Sequence, residues 1–305
     1  MSATATASRP TQRPADRGGL RRWWKDPWRK PAVLATITWG YLAWSLLPLS
    51  IAIAISFSAG RSNSVLHGFS LQWWVSDPND SLLHDPELHA AIFQSLRLSI
   101  TTMIIAVPLG VAFALGIDRW RGRPASGFNF LMLLSFVMPE IVLGLSLFLV
   151  FRFVLTFIHL GTTAQILGLV TYQISYPVII VRARILSIGK DFEEAAMDLG
   201  ASPRQSIRRV LLPLLYPAIF ASSALVFADT IDDFVTVRYL SGPALTEPLS
   251  VKIYNIARAE PTPAVNAAAT FLLFTTTLAI VIGYVAYRRI TRGQRDAKIT
   301  DFAQV

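Results

Sequence analysis

Four carboxylates stand inside strongly apolar sequence: Glu140, directly after Met138 and Pro139, and Asp229, Asp232 and Asp233 in the run FADTIDDF. An ionisable group at membrane depth is costly, and by default it marks a pathway. Glu140 lies about eleven residues from the inner end of its apolar stretch, close to the middle of a bilayer at about 1.5 Å per residue. Helical spacing of three or four puts Asp229 on one face with both Asp232 and Asp233. Carboxylates so crowded repel one another unless a cation or an arginine neutralises them. Two readings stay open: a cation-attracting vestibule or translocation surface, or a structural set held by Arg97, Arg152, Arg238 or a partner subunit. Pro139 removes a backbone donor beside Glu140, which suits a broken helix lining a cavity.

Bond-making chemistry has no candidate residues. The one Gly-Lys pair, Gly189 and Lys190, is followed by Asp191 and lacks the upstream glycine of a phosphate-binding loop. Neither a G-x-S-x-G elbow, an H-E-x-x-H helix nor a dinucleotide fingerprint is present. Cysteine is absent, which excludes disulfides and thiolate metal sites. Of the 4 histidines, His84 and His89 flank acids at a spacing that does not share a helical face, so no metal site is expected. With no catalytic residues and no cofactor of its own, the chain must draw energy from a partner or an ion gradient.

The elements that position these acids are membrane spans. Of the 305 residues, 53% are hydrophobic and 15% charged, against about 25% charged in ordinary soluble domains, and the mean hydropathy is +0.47. A spanning helix needs about 20 apolar residues. Six stretches qualify: 32–57, 91–117, 129–154, 164–186, 212–239 and 264–287. The expected class is therefore all-α and polytopic, with both termini on one side. Residues 1–30 read as a disordered basic tail, 31–290 as the membrane domain and 291–305 as a second tail.

Orientation follows from the 28 lysines and arginines. A cytoplasmic N-terminus collects most of them inside: the leading tail, Arg119, Arg121 and Arg123, the segment from Arg182 to Arg209, and the tail from Arg288 to Lys298. The pI of about 10.2 is then explained by topology and anionic lipid, and nucleic acid is not an expected partner. Trp23, Trp24 and Trp28 among basic residues suit an interfacial anchor. The outer segment 58–90 is either a docking surface for an external protein or a solvated loop with a short surface helix.

Between the fourth and fifth spans runs EAAMDLGASPRQSIRRVLLP, Glu194 to Pro213. Asp191 can cap a helix here, with Glu194 reaching back in a capping box, and Ala195, Ala196, Met197 and Leu199 are good helix formers. Gly200 supplies the left-handed conformation that stops it, and Ser202, Pro203 and Gln205 restart a second helix. The product is an L-shaped projection, suited to sit in a groove on a partner; the plainer reading is a structured connector.

This loop, Glu-Ala-Ala, three residues, Gly, nine residues, an aliphatic, one residue, Leu-Pro, resembles the cytoplasmic coupling loop of ATP-binding-cassette importer permeases. DDFVTVRYLSGP, PLSVKIYNIAR and MPEIVLGLSLFLVF look like the second permease of bacterial spermidine and putrescine importers. The resemblance covers most of residues 32–290, and the long basic N-terminus departs from it. It implies a type I importer permease fold in the bacterial cytoplasmic membrane with coupling helices within 190–213. It further implies pairing with a second related permease, two ATPase subunits holding ATP and Mg, and an extracytoplasmic solute-binding protein. Glu194, Ala195, Ala196, Gly200, Ala201 and Ser202 are then the expected coupling residues. An extended amine would suit a path of Glu140, Asp229, Asp232 and Asp233 with aromatics drawn from Trp39, Trp44, Tyr172, Tyr176 and Tyr254. Other solutes (ferric ion, thiamine, an anion) remain open within this family, and an ion-gradient carrier using the same acids remains open outside it.

Overall fold

The structure, a computed structural model, describes residues 32–62, 65–78, 81–119, 123–242, 246–259 and 262–302. The basic tail and its tryptophans lie outside them. Helices are α1 (Ala32–Ser56), α2 (Pro86–Arg119), α3 (Arg123–Val137), α4 (Glu140–Leu149), α5 (Thr162–Gln173) and α6 (Ser175–Ile188). They continue as α7 (Asp191–Asp198), α8 (Pro203–Ser206), α9 (Leu212–Asp232), α10 (Val235–Leu240), α11 (Leu249–Ala259) and α12 (Pro263–Phe302). No strand occurs among the described residues beyond one isolated bridge, Ser58 to Phe69.

Among the described residues, 5 helices are long and apolar enough to cross a membrane: Val33–Ser56, Pro86–Arg119, Thr162–Ile188, Pro203–Asp232 and Pro263–Arg289. The stretch expected as a third span, 129–154, is instead divided between α3 and α4. The cause is Pro139: it has no amide hydrogen and disfavours helical geometry at Met138. Its ψ of 129° turns the chain, and its carbonyl then accepts from Val142 and Leu143 to start α4. The fifth span, expected to reach residue 239, stops at Asp232.

α1 up to Ile51 belongs to a unit of its own; it is uncharged and mostly apolar, and Trp39 and Trp44 project from it exposed. In the other unit α2 is the central post, in contact with α5, α6, α9 and α11. Ala114, Val181, Ile185, Leu211, Leu215 and Ala218 close its C-terminal half, and Leu98, Leu169, Val237 and Val251 its N-terminal half. Between spans, burial from lipid supplies little hydrophobic drive, so close approach and polar pairing matter more. Gly144 serves the first: a Cβ there would lie 3.4 Å from the Thr236 backbone, where α10 crosses α4.

Gln165 serves the second. Fully buried on α5, it accepts from Gln94 Nε2 of α2 at 2.8 Å and donates to Ser241 Oγ and the Thr246 carbonyl at 3.1 and 3.0 Å. Gln165→Leu keeps the volume and strands those groups, at a cost of about 1–3 kcal/mol per buried unsatisfied group. The expected result is a lower thermal unfolding midpoint in detergent; an unchanged midpoint refutes the role.

The outer segment combines an exposed loop, residues 65–69, and a short helix, Gln72–Ser76, with a packed anchor. Trp73 is fully buried against Ala264 and Ala267, and its indole donates to the Ser58 carbonyl at 2.8 Å. Phe57 stacks between Phe69 and Trp74, with ring centroids 5.5 and 5.2 Å away.

Candidate functional site

α5 and α6 form one bent span. Pro177 cannot donate to the Gln173 carbonyl, so the helix is interrupted at Ile174, and polar side chains flanking the bend turn toward α9. Gln173, fully buried, donates Nε2 to Asp229 Oδ2 at 2.7 Å, and the Tyr176 hydroxyl donates to Asp229 Oδ1 at 3.4 Å. The Tyr172 and Tyr176 hydroxyls are 3.2 Å apart, their rings meet edge to face at 5.9 Å, and Phe136 stands edge-on to Tyr176 at 5.7 Å.

Asp233, 8% exposed, lies past the end of α9. Its Oδ1 accepts from the Val237 amide at 3.2 Å, and its carbonyl accepts from Ser250 Oγ at 2.7 Å. Asp229, Gln173, Tyr172 and Tyr176 are thus joined by hydrogen bonds, and Asp233, between α9 and α10, and Glu140, at the start of α4, which packs on α10, complete an acidic, aromatic cluster.

Three expectations change. Asp229 and Asp232 keep their helical spacing of three within α9, but Asp233 does not share that face, because α9 ends at the exposed Asp232 and Asp233 has turned away with ψ 125°. Glu140 occupies the exposed first turn of a new helix, where the dipole favours a carboxylate, and not the interior of a continuous span. The arginine pairing is absent: among the described residues the ion pairs are Arg119 with Glu193, Arg238 with Glu247 and Lys252 with Glu87.

Tyr254 stands elsewhere. Its ring meets Phe234 at 4.6 Å and carries the Arg258 guanidinium 4.9 Å above it. With Arg238, Asn255 and Ile141 these residues line a cavity of about 560 Å³. Sequence reasoning overlooked Gln173, although an amide four residues before a proline in an apolar run is a usable signal.

The projection between α6 and α9 forms as a helix, a corner and a helix. α7 has no buried residue and leaves Phe192, Met197 and Leu199 exposed. Its N-cap is Lys190, without a side-chain bond, so the expected cap by Asp191 and Glu194 does not form. Asp191 already lies inside the first turn, where its charge suits the dipole. Gly200 takes φ +88°, its amide bonds the Met197 carbonyl at 2.9 Å and the Ala201 amide bonds Ala196 at 3.1 Å, a Schellman closure. The expected second helix then starts at Ser202, which with Gln205 forms a capping box, at 3.4 and 2.9 Å.

Residues 106–296, which include this projection and all four acids, match the family described as binding-protein-dependent transport system inner membrane component. The chain belongs to that family. The permease is 29% identical to the putrescine transport system permease protein PotI of Escherichia coli K12, over 89% of this chain and 93% of that one. It is 32% identical to the spermidine/putrescine transport system permease protein PotC of the same organism, over 82% and 92%. Among solved structures, a bacterial ABC transporter importing the acidic polysaccharide alginate superposes with TM-score 0.69 at 19% identity, covering 88% of the permease and 99% of that chain. The fold is that of an ABC importer permease, multi-pass in the membrane.

Proposed function

We propose that the permease forms part of the path for a polyamine, putrescine or spermidine, in an ATP-driven importer. The observation that carries this reading is the cluster of Glu140, Asp229 and Asp233 with Tyr172 and Tyr176, which no basic side chain pairs among the described residues. Ammonium groups suit carboxylates and aromatic faces together, and the names of the two Escherichia coli relatives agree. Asp232, exposed beside the cluster, and Tyr254, beyond it, extend the path.

Motor function lies on other chains. α7 and α8, through Glu194, Ala195, Ala196, Gly200, Ala201 and Ser202, dock on an ATPase that holds ATP and Mg. The exposed Phe192, Met197 and Leu199 are apolar surface such a groove would cover. A second related permease, a second ATPase and an extracytoplasmic binding protein complete the assembly. A solved alginate importer with its periplasmic protein supplies the precedent for the last of these. Both termini then face the cytoplasm.

The test is uptake of labelled putrescine and spermidine by cells lacking this chain and other polyamine carriers. Restoration by the wild-type chain, abolished by ATP depletion and insensitive to uncouplers, supports the reading. Restoration sensitive only to uncouplers replaces the pump with an ion-driven carrier. One observation favours a second solute class: Arg238 and Arg258 line the cavity beside Tyr254, and the molybdenum transport permease ModB of Mycobacterium bovis is 30% identical over 67% of this chain. Restored molybdate uptake without polyamine uptake selects that reading.

A further inference from the structure

α2 has 34 residues, a contour of about 51 Å at about 1.5 Å per residue, and therefore overruns a hydrocarbon layer of about 30 Å. Each protruding end is held by an ion pair, to α7 at one end and to α11 at the other. At the inner end Arg119, the last residue of α2, places a guanidinium nitrogen 2.6 Å from Glu193 Oε2 on α7. At the outer end Glu87 pairs with Lys252 on α11, and the Leu249 amide, at the start of α11, donates to Ser95 Oγ of α2 at 2.8 Å. Among the described residues, Arg119–Glu193 is the only ion pair that reaches α7. Glu193 is also held from its other side, where the buried Ser206 donates Oγ to its carbonyl at 3.4 Å.

We infer that Arg119 and Glu193 form a strut through which displacement of α7 is delivered to α2 and, along α2, to α11 at the opposite end of the molecule. The inference rests on the reading of α7 as the ATPase-docking helix. Arg119 and Glu193 are positioning residues; neither touches solute or nucleotide. Their geometry fits the task. α7 has no buried side chain of its own, so packing gives it no grip on the core, and a charge-assisted contact at 2.6 Å supplies one. α2 is gripped along its length by α5, α6 and α9, so a push at Arg119 moves a packed rod and not a loose end. α11 receives the motion at Lys252 and Leu249, and it carries Tyr254, Asn255 and Arg258 on the wall of the 560 Å³ cavity. A partly exposed ion pair contributes little to static stability. Removing it therefore leaves the fold standing and cuts only the transmission.

The experiment uses the whole importer, with its partner permease, ATPases and binding protein, and needs no solute. Because the chain has no cysteine, Thr163→Cys on α5 and Ala257→Cys on α11, both exposed, can carry spin labels. The distance between them is measured with and without a non-hydrolysable ATP analogue. The wild-type background is expected to show a nucleotide-dependent shift. Arg119→Glu is expected to lose it, with at least about a fivefold smaller population moved, the lower range of coupling between distant sites. Glu193→Arg alone should behave alike, and the two together should restore the shift, which a merely structural role would not do. An unchanged shift in Arg119→Glu, a double variant no better than the single ones, or no shift in wild type overturns the strut. If Arg119→Glu fails to assemble, Arg119→Gln, which keeps the size and loses the charge, replaces it under the same criteria. Failure of the underlying reading looks different: the wild-type chain then fails to co-purify with the ATPase at all.

Discussion

Gly200→Val is expected to lower ATP-driven uptake at least about tenfold, equivalent to about 1.4 kcal/mol, while leaving the amount of permease in the membrane unchanged. Gly200 stands at φ +88°, and a Cβ there would meet nothing within 4 Å. Space is therefore not the obstacle. The left-handed backbone costs an ordinary residue about 1–2 kcal/mol, and a branched β-carbon makes that conformation a genuine outlier. Valine must open the corner, and with it the Ala201–Ala196 and Gly200–Met197 bonds that close α7. Ser202, Pro203 and the capping box would then restart α8 in a different direction. Since α7 buries nothing, the core has no stake in this angle, whereas a docked partner does. Asparagine tolerates the left-handed region, so Gly200→Asn should keep most of the activity. Uptake and co-purification of the ATPase measure both effects. Normal uptake with valine would remove the corner from any account of coupling.

Asp233 gives the second large effect, and two substitutions separate its roles. Asp233→Asn keeps an oxygen that can accept from the Val237 amide, now at 3.2 Å, and loses the charge. Hydrogen bonds to charged groups contribute about 1.5–3 kcal/mol, so putrescine uptake should fall roughly 10- to 100-fold on the proposed reading, with the thermal midpoint nearly unchanged. Asp233→Ala removes the acceptor too and strands an amide in the first turn of α10, costing about 1 kcal/mol of stability, so its uptake and midpoint should both fall. If Asp233→Asn transports putrescine normally, the buried acid is a cap and nothing more.

Much of the projection was legible before any coordinates, because it is built from local rules. Gly200, Ser202, Pro203 and Gln205 each act within a few residues, and each does what its type predicts. The break at Pro139 was legible for the same reason. The cap at Asp191 was misread because several polar residues compete to start α7 and the chain enters one residue earlier, at Lys190.

The end of α9 was not legible. FADTIDDF holds neither glycine nor proline, and α9 stops because the Asp233 side chain competes for a backbone amide farther along. That one event takes Asp233 off the face that spacing predicts it shares with Asp229. Long-range pairings lie beyond sequence reasoning altogether. Gln173 meets Asp229 across 56 residues and Arg119 meets Glu193 across 74, and no periodicity announces either.

The Gln94–Gln165 pair has a consequence for how the chain is made. Gln94 is 71 residues behind Gln165, so that bond can form as soon as both segments have left the ribosome. The Val237, Ser241 and Thr246 partners lie 72, 76 and 81 residues ahead. During synthesis the Gln165 amide group therefore lacks these acceptors until the segment after α9 is made. A chain that ends before Thr246 therefore lacks a Gln165 partner that only the last third of the sequence supplies.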